Sequence, residues 1–269
     1  PHLQTLWPRF ERRGQLVALR RERIDTGDGD FLDLDWSEPA AGAVDAPLVL
    51  LIHGLEGNSL SPYVQGMLSA LARRGWRSLV MHFRGCSGEP NRLPRSYHSG
   101  ETGDPGMVVR LLRARFPAAP LAVIGYSLGG NVLLKYLGEA SRAGIVTAAA
   151  AISVPFLLAP SADRLQRGFS RLYQRILLDS LTAKTLQKFS TMKSPVPLEA
   201  LATAASIRDF DDIVTAPIHG FADAADYYAR NSSRQFLRAI DVPTLIIHAA
   251  DDPFMTPEVI PAVTSCPRQ

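Results

Sequence analysis

The chain has 269 residues, 46% of them hydrophobic and 20% charged, with 29 basic against 26 acidic side chains and a formal net charge of +3. That length fits one large domain with a buried core, and an excess of three charges is too weak a field for a nucleic-acid-binding surface. Two cysteines far apart in sequence, Cys86 and Cys266, argue against a disulfide framework, and no apolar run reaches the ~18 residues of a membrane span.

In chain order, Arg9, Arg12, Arg13, Arg20, Arg21 and Arg23 form the one basic cluster, which reads as a solvated surface, with an anionic lipid or nucleic-acid contact as the alternative. A strand over 17–24 turns at Gly27-Asp-Gly-Asp30 into 31–36, whose alternation predicts a half-exposed antiparallel strand near the sheet edge. The continuous apolar run 47–52 predicts a buried central strand. A helix over 62–73, closed by Gly75, leads to a strand over 78–83 and a polar loop over 84–91. Helix 105–116, strand 121–125, helix 128–141 and strand 147–154 follow. The pattern is then helical from 162 to 238, with breaks near Pro195, Pro197 and Pro217, until a strand resumes over 243–248. Strands alternating with helices predict a mostly parallel sheet covered on both faces. The expected architecture is one α/β domain over 1–269, with its core in 1–154 and 243–269. The residues between, 155–242, form a helical cap.

The strongest chemical signal is Gly125-Tyr-Ser127-Leu-Gly129, set between a strand and a helix. A serine on such a turn is strained, and glycines at both flanks remove Cβ atoms that would collide with neighbouring elements. Ser127 is the expected nucleophile. Its helix aims unpaired N–H groups at charge that develops during attack. A second Gly-rich turn, His53-Gly-Leu-Glu-Gly57, ends the earlier central strand. There the Leu55 N–H joins the Leu128 N–H as an expected oxyanion hole. His53 itself reads as a residue that orients this turn by hydrogen bonding, with general base as the alternative.

A third signal, His248-Ala-Ala-Asp-Asp-Pro253, follows the last strand. An acid here fits the order serine, acid, histidine. Asp252 is preferred because a residue before proline is pre-set to extended backbone, with Asp251 as the alternative. No histidine follows Asp252: His2, His53, His82, His98, His219 and His248 all precede it. His82 and His98 lack metal-ligand spacing, and no phosphate-binding Gly-rich loop is present, so neither a metal nor a cofactor is expected. Cys86 reads as a packing or rim residue.

Together, Pro1-His-Leu-Gln-Thr-Leu6, His53-Gly-Leu-Glu-Gly57, His82-Phe-Arg-Gly-Cys-Ser-Gly88, Gly125-Tyr-Ser-Leu-Gly-Gly130, Phe210-Asp-Asp212 and Asp251-Asp-Pro-Phe-Met255 resemble the YheT-like branch of the α/β-hydrolases, the AB hydrolase 4 family. The resemblance spans nearly the whole chain. It implies an α/β-hydrolase fold and a cytoplasmic serine esterase or acyl transferase, with Ser127 as nucleophile and Asp252 as acid. It also implies a chain clipped at both ends, with the base in a Gly-Gly-His stretch beyond Gln269. A sheet ending at His248 would then expose an edge. The expected partner is a small ester or acyl substrate; peripheral membrane contact stays open, and nucleic acid is not expected. The rival reading is a catalytically inactive protein of the same fold that binds an acyl ligand.

Overall fold

The computed structural model describes residues 16–37 and 45–261, so Arg9, Arg12, Arg13, the 1–6 motif and Cys266 lie outside the described residues. Among those described, seven strands form one mostly parallel sheet, as expected: β1 (Leu19–Asp25), β2 (Phe31–Ser37), β3 (Leu48–Ile52), β4 (Arg77–Met81), β5 (Leu121–Tyr126), β6 (Ala148–Ile152) and β7 (Thr244–Ile247). Their order is β1-β2-β4-β3-β5-β6-β7. The β1–β2 and β2–β4 pairs are antiparallel and all the others are parallel.

Every residue of β3 is buried. Val49 and Leu51 pack with Val64, Leu68 and Leu71 of α1 (Pro62–Ala72). Leu48, Leu50 and Ile52 point the other way, into a cluster with α2 (Gly103–Arg115) and α3 (Leu128–Glu139). A parallel strand covered on both faces must be apolar at every position, which is why this segment shows no alternation.

β2 departs from expectation. Its alternating pattern predicts a half-exposed strand, yet six of its seven residues are buried. The polar positions are sealed by ion pairs instead of water. Arg23 binds Asp33 through two contacts of 2.8 Å, and Arg21 binds Asp35 at 2.7 and 2.9 Å. Asp35 also accepts from Ser59 (2.6 Å) and meets His82 Nε2 at 2.7 Å. Burial pushes the Asp35 carboxyl up, but the hydrogen bonds from Arg21, His82 and Ser59 outweigh it and hold the group well below the usual carboxylate range. Arg21 and Arg23 stay exposed on β1, as a solvated surface would have them, while each also pairs with a buried carboxylate of β2.

Between β6 and β7 the chain is helical. It forms α4 (Leu158–Leu165), α5 (Ser170–Phe189), a 3₁₀ turn (Leu198–Thr203), α6 (Ile207–Phe210), a π-helical turn (Asp211–Thr215), α7 (Ala216–His219), α8 (Ala224–Asn231) and a second 3₁₀ segment (Ser233–Ala239). The break expected at Pro217 does not occur. Proline has no N–H for an α-helical bond, and the π turn immediately upstream changes the pairing there, so helix continues from 207 to 219. It stops at Gly220, which adopts φ 74°. The segment has apolar clusters of its own, one around Tyr173, Phe210 and Val214 and another around Leu158, Tyr227 and Tyr228. Asn131 of α3 ties it down, donating to the Ser99 and Asn231 carbonyls (2.8 Å each) and accepting from the Ser233 N–H at 2.9 Å. β7 is the last strand of the sheet among the described residues, with Leu245 and Ile247 exposed. No helix among the described residues is long and apolar enough to cross a membrane.

Candidate active site

β5 ends at Tyr126 and α3 begins at Leu128, leaving Ser127 alone to make the turn. It does so at φ 49°, ψ −116°, backbone that a side-chain-bearing residue rarely adopts. The Ser127 N–H donates to the Ile152 carbonyl (2.8 Å), and its own carbonyl accepts from the Asn131 N–H (3.0 Å). Gly129 lets the first turn of α3 press on the end of β3: a Cβ there would stand 2.4 Å from the His53 oxygen and 2.5 Å from the Ile52 oxygen. The same approach brings the second Gly-rich turn against the nucleophile, since a Cβ on Gly54 would lie 3.2 Å from Ser127 Cβ. Ser127 is half-buried, and its hydroxyl has no hydrogen-bond partner among the described residues.

The turn's donors are engaged one by one. The Gly54 N–H donates to the Tyr63 hydroxyl (2.9 Å), Glu56 N–H to the Tyr97 hydroxyl (3.0 Å), and Gly57 N–H to the Gly54 carbonyl (3.0 Å). Among the N–H groups of residues 54–57, only that of Leu55 finds no acceptor among the described residues. Leu128, first residue of α3, likewise keeps its N–H free there, as helix N-termini do. Leu55 and Leu128 both line a cavity of about 260 Å³ whose wall also includes residues of α5, α6 and the π turn. Ser127 does not itself line that cavity. Tyr63 and Tyr97, which engage the neighbouring N–H groups, are the turn-shaping residues that sequence reasoning missed; isolated tyrosines give no local signal.

His53 is fully buried and neutral, because burial lowers its pKa to about 3. Its Nε2 accepts from the Phe83 N–H at 3.1 Å, so Nδ1 carries the proton and donates to the Gly54 carbonyl at 2.7 Å. Both ring nitrogens are occupied in shaping the turn, and His53 is a turn-orienting residue rather than a base. Cys86 forms part of the cavity wall, and burial pushes its thiol up to about 12, which leaves no nucleophilic thiolate at neutral pH.

The acid loop joins the same edge of the sheet. The Ser153 N–H, next to the end of β6, donates to the Ile247 carbonyl of β7 (2.9 Å), and the loop bearing the aspartates follows. The Asp252 side chain is 8% exposed, whereas Asp251 is an exposed residue. Asp252 Oδ1 accepts from the Phe254 N–H (2.9 Å), and Oδ2 lies 4.0 Å from His248 Nε2. Burial lowers the pKa of His248, with the Asp252 charge opposing it. Among the described residues, no histidine hydrogen-bonds Ser127.

Across the cavity, the His98 and His219 rings sit 4.4 Å apart, and burial lowers their pKa values to about 2 and about 4. With His53 they make three histidines that stay neutral in the fold while their unfolded counterparts protonate near pH 6.5. Below that pH the unfolded state binds more protons, so stability must fall as the pH drops from about 6.5 toward 4. Asp211, raised to about 6 by burial, opposes this with one proton taken up by the folded state. A net excess of about two protons predicts a loss of roughly 3 kcal/mol per pH unit near pH 5. Urea unfolding at pH 7, 6 and 5 measures the slope, and His98→Gln should reduce it visibly. A flat profile would mean that these rings titrate normally in the folded chain.

The family model of the alpha/beta hydrolase fold matches residues 47–268. Over its whole length the chain is 48% identical to the Escherichia coli protein named "Putative esterase YheT", spanning 79% of that protein. With 97% of its length it is 32% identical to the mouse protein named "Phospholipase ABHD3", of which it spans 65%. The solved structure of the Pyrococcus furiosus esterase Pf2001 superposes with a TM-score of 0.59 over 90% of this chain and 74% of that one; at 17% identity this likeness concerns the fold alone. The strand order, the serine elbow and near-half identity along the full chain converge: this protein belongs to the α/β-hydrolase fold family, in its YheT-like branch.

Proposed function

We propose that the protein hydrolyses carboxylic esters through an acyl-enzyme on Ser127. The observation that carries this reading is the Leu55 N–H, the one unengaged donor of a turn packed against a strained serine. Ser127 Oγ attacks the ester carbonyl carbon while its proton passes to a histidine base oriented by Asp252. Electrons displaced onto the carbonyl oxygen are held by the Leu55 and Leu128 N–H groups, an arrangement in which one donor is worth roughly 10²–10³ in kcat. Collapse of the tetrahedral intermediate expels the alcohol, which takes the proton from the histidine. Water, or a second alcohol in acyl transfer, then releases the acyl group by the reverse steps.

Segment 155–242 acts in this reading as a cap over the cavity, and the remainder as the catalytic core of one domain. Two named relatives support ester chemistry, one as an esterase and one as a phospholipase. The cavity, about 260 Å³, is near the lower end of small-molecule sites, roughly 300–1,000 Å³. A panel of p-nitrophenyl esters from acetate to palmitate, run on the intact protein, should therefore show turnover that peaks at short acyl chains and falls at long ones. No serine-dependent turnover on any ester, together with saturable binding of a fatty acid, would favour the inactive acyl-binding protein.

A further inference from the structure

The turn that presents Leu55 carries a carboxylate at the next position. Glu56 adopts φ 56°, and its side chain is 6% exposed. Three side chains from two parts of the molecule converge on it. Tyr97, from the loop after β4, donates its hydroxyl proton to Glu56 Oε1 (2.8 Å) and accepts from the Glu56 N–H (3.0 Å). Ser180 of α5 donates to Oε2. Lys184, one helical turn further along α5, pairs with the same oxygen at 3.0 Å. Tyr97 is itself fixed by stacking on Phe83, with ring centroids 4.9 Å apart.

These contacts have two physical consequences. A left-handed conformation at a residue with a side chain persists only where its surroundings over-determine it, and here the carboxylate is the handle by which they do so. But a negative charge one residue from a donor aimed at a developing oxyanion opposes the reaction. Such a charge is tolerable where a cation cancels it at contact distance. Lys184, whose side chain is 39% exposed, is that cation, and it comes from the helical segment rather than from the core.

We propose that Glu56 is a positioning residue for the Leu55 N–H and that Lys184 neutralises it, so that α5 completes the oxyanion hole electrostatically. This rests on the oxyanion reading given above. The test is a set of variants of the intact protein, assayed on p-nitrophenyl butyrate after their melting temperatures are checked. Glu56→Ala should lower kcat roughly 10²-fold with KM within about threefold, because the turn loses its handle. Lys184→Met, which leaves the carboxylate unbalanced, should lower kcat by ~10- to 100-fold, whereas Lys184→Arg should retain it.

The decisive comparison is Glu56→Gln/Lys184→Met. Its amide can still meet Tyr97 and Ser180 without a charge, so kcat should recover to within about fivefold of the parent. If the double variant is as impaired as Lys184→Met, the pair merely fastens α5 to the core and the neutralisation is wrong. Should Lys184→Met fail to fold, Glu56→Gln alone decides: near-parent kcat supports the proposal, and a hundredfold loss overturns it. Fluorophosphonate labelling of the parent separates the two levels. A parent unlabelled at Ser127 removes the hydrolase reading itself, whereas a labelled, active parent with indifferent variants removes only the role of this pair.

Discussion

Ser127→Ala is expected to abolish fluorophosphonate labelling and to reduce ester turnover by roughly 10⁶-fold, the scale on which loss of a triad serine acts. The melting temperature should hardly move. Alanine keeps the Cβ that the elbow already accommodates, and the lost hydroxyl has no partner among the described residues whose bond would be broken. The unengaged N–H groups of Leu55 and Leu128 remain in place, so a residual acceleration of ~10³–10⁴ over water is expected, close to the spontaneous hydrolysis of activated esters. Mass spectrometry of probe-labelled peptides reads the result directly. Labelling that survives in the alanine variant would place the nucleophile elsewhere.

Asp252→Asn should lower kcat by ~10⁴, the cost of a base histidine held in the wrong tautomer. The argument follows from which oxygen is engaged. Oδ1 is held by the Phe254 N–H, an interaction that asparagine preserves, so the amide nitrogen must replace Oδ2. A donor then stands where an acceptor is needed. Asp251→Asn should cost less than ~10-fold, because that residue is exposed rather than turned into the structure. Steady-state kinetics on one short-chain ester distinguishes the two, and the opposite ranking would move the acid to Asp251. His248 lies 4.0 Å from Asp252, so His248→Gln belongs in the same experiment. A loss as large as that of Asp252→Asn would make His248 the base.

The alternation of strands and helices, the serine elbow and the Gly-rich turn after β3 were all legible from the residues. Each is a local event. Contiguous apolar residues form a strand wherever both sheet faces are covered, and a serine between glycines at a strand-to-helix junction fits few other conformations. The same local rules misread β2, because alternation reports polarity and not what meets it: Asp33 and Asp35 are sealed by arginines of the neighbouring strand. They also misplaced the break at Pro217, since a π turn absorbs a missing N–H without ending the helix.

What the sequence determined by itself was the class of fold and the identity of the candidate nucleophile, because backbone preferences act within a few residues. The tertiary structure decided the state of the oxyanion turn. Leu55 is its one unengaged donor because Tyr63 and Tyr97, 9 and 41 positions from the groups they bind, occupy its neighbours. Glu56 is held by Ser180 from 124 positions away. Partners so distant are brought together only when the sheet and the helical segment pack, and no local pattern encodes that meeting.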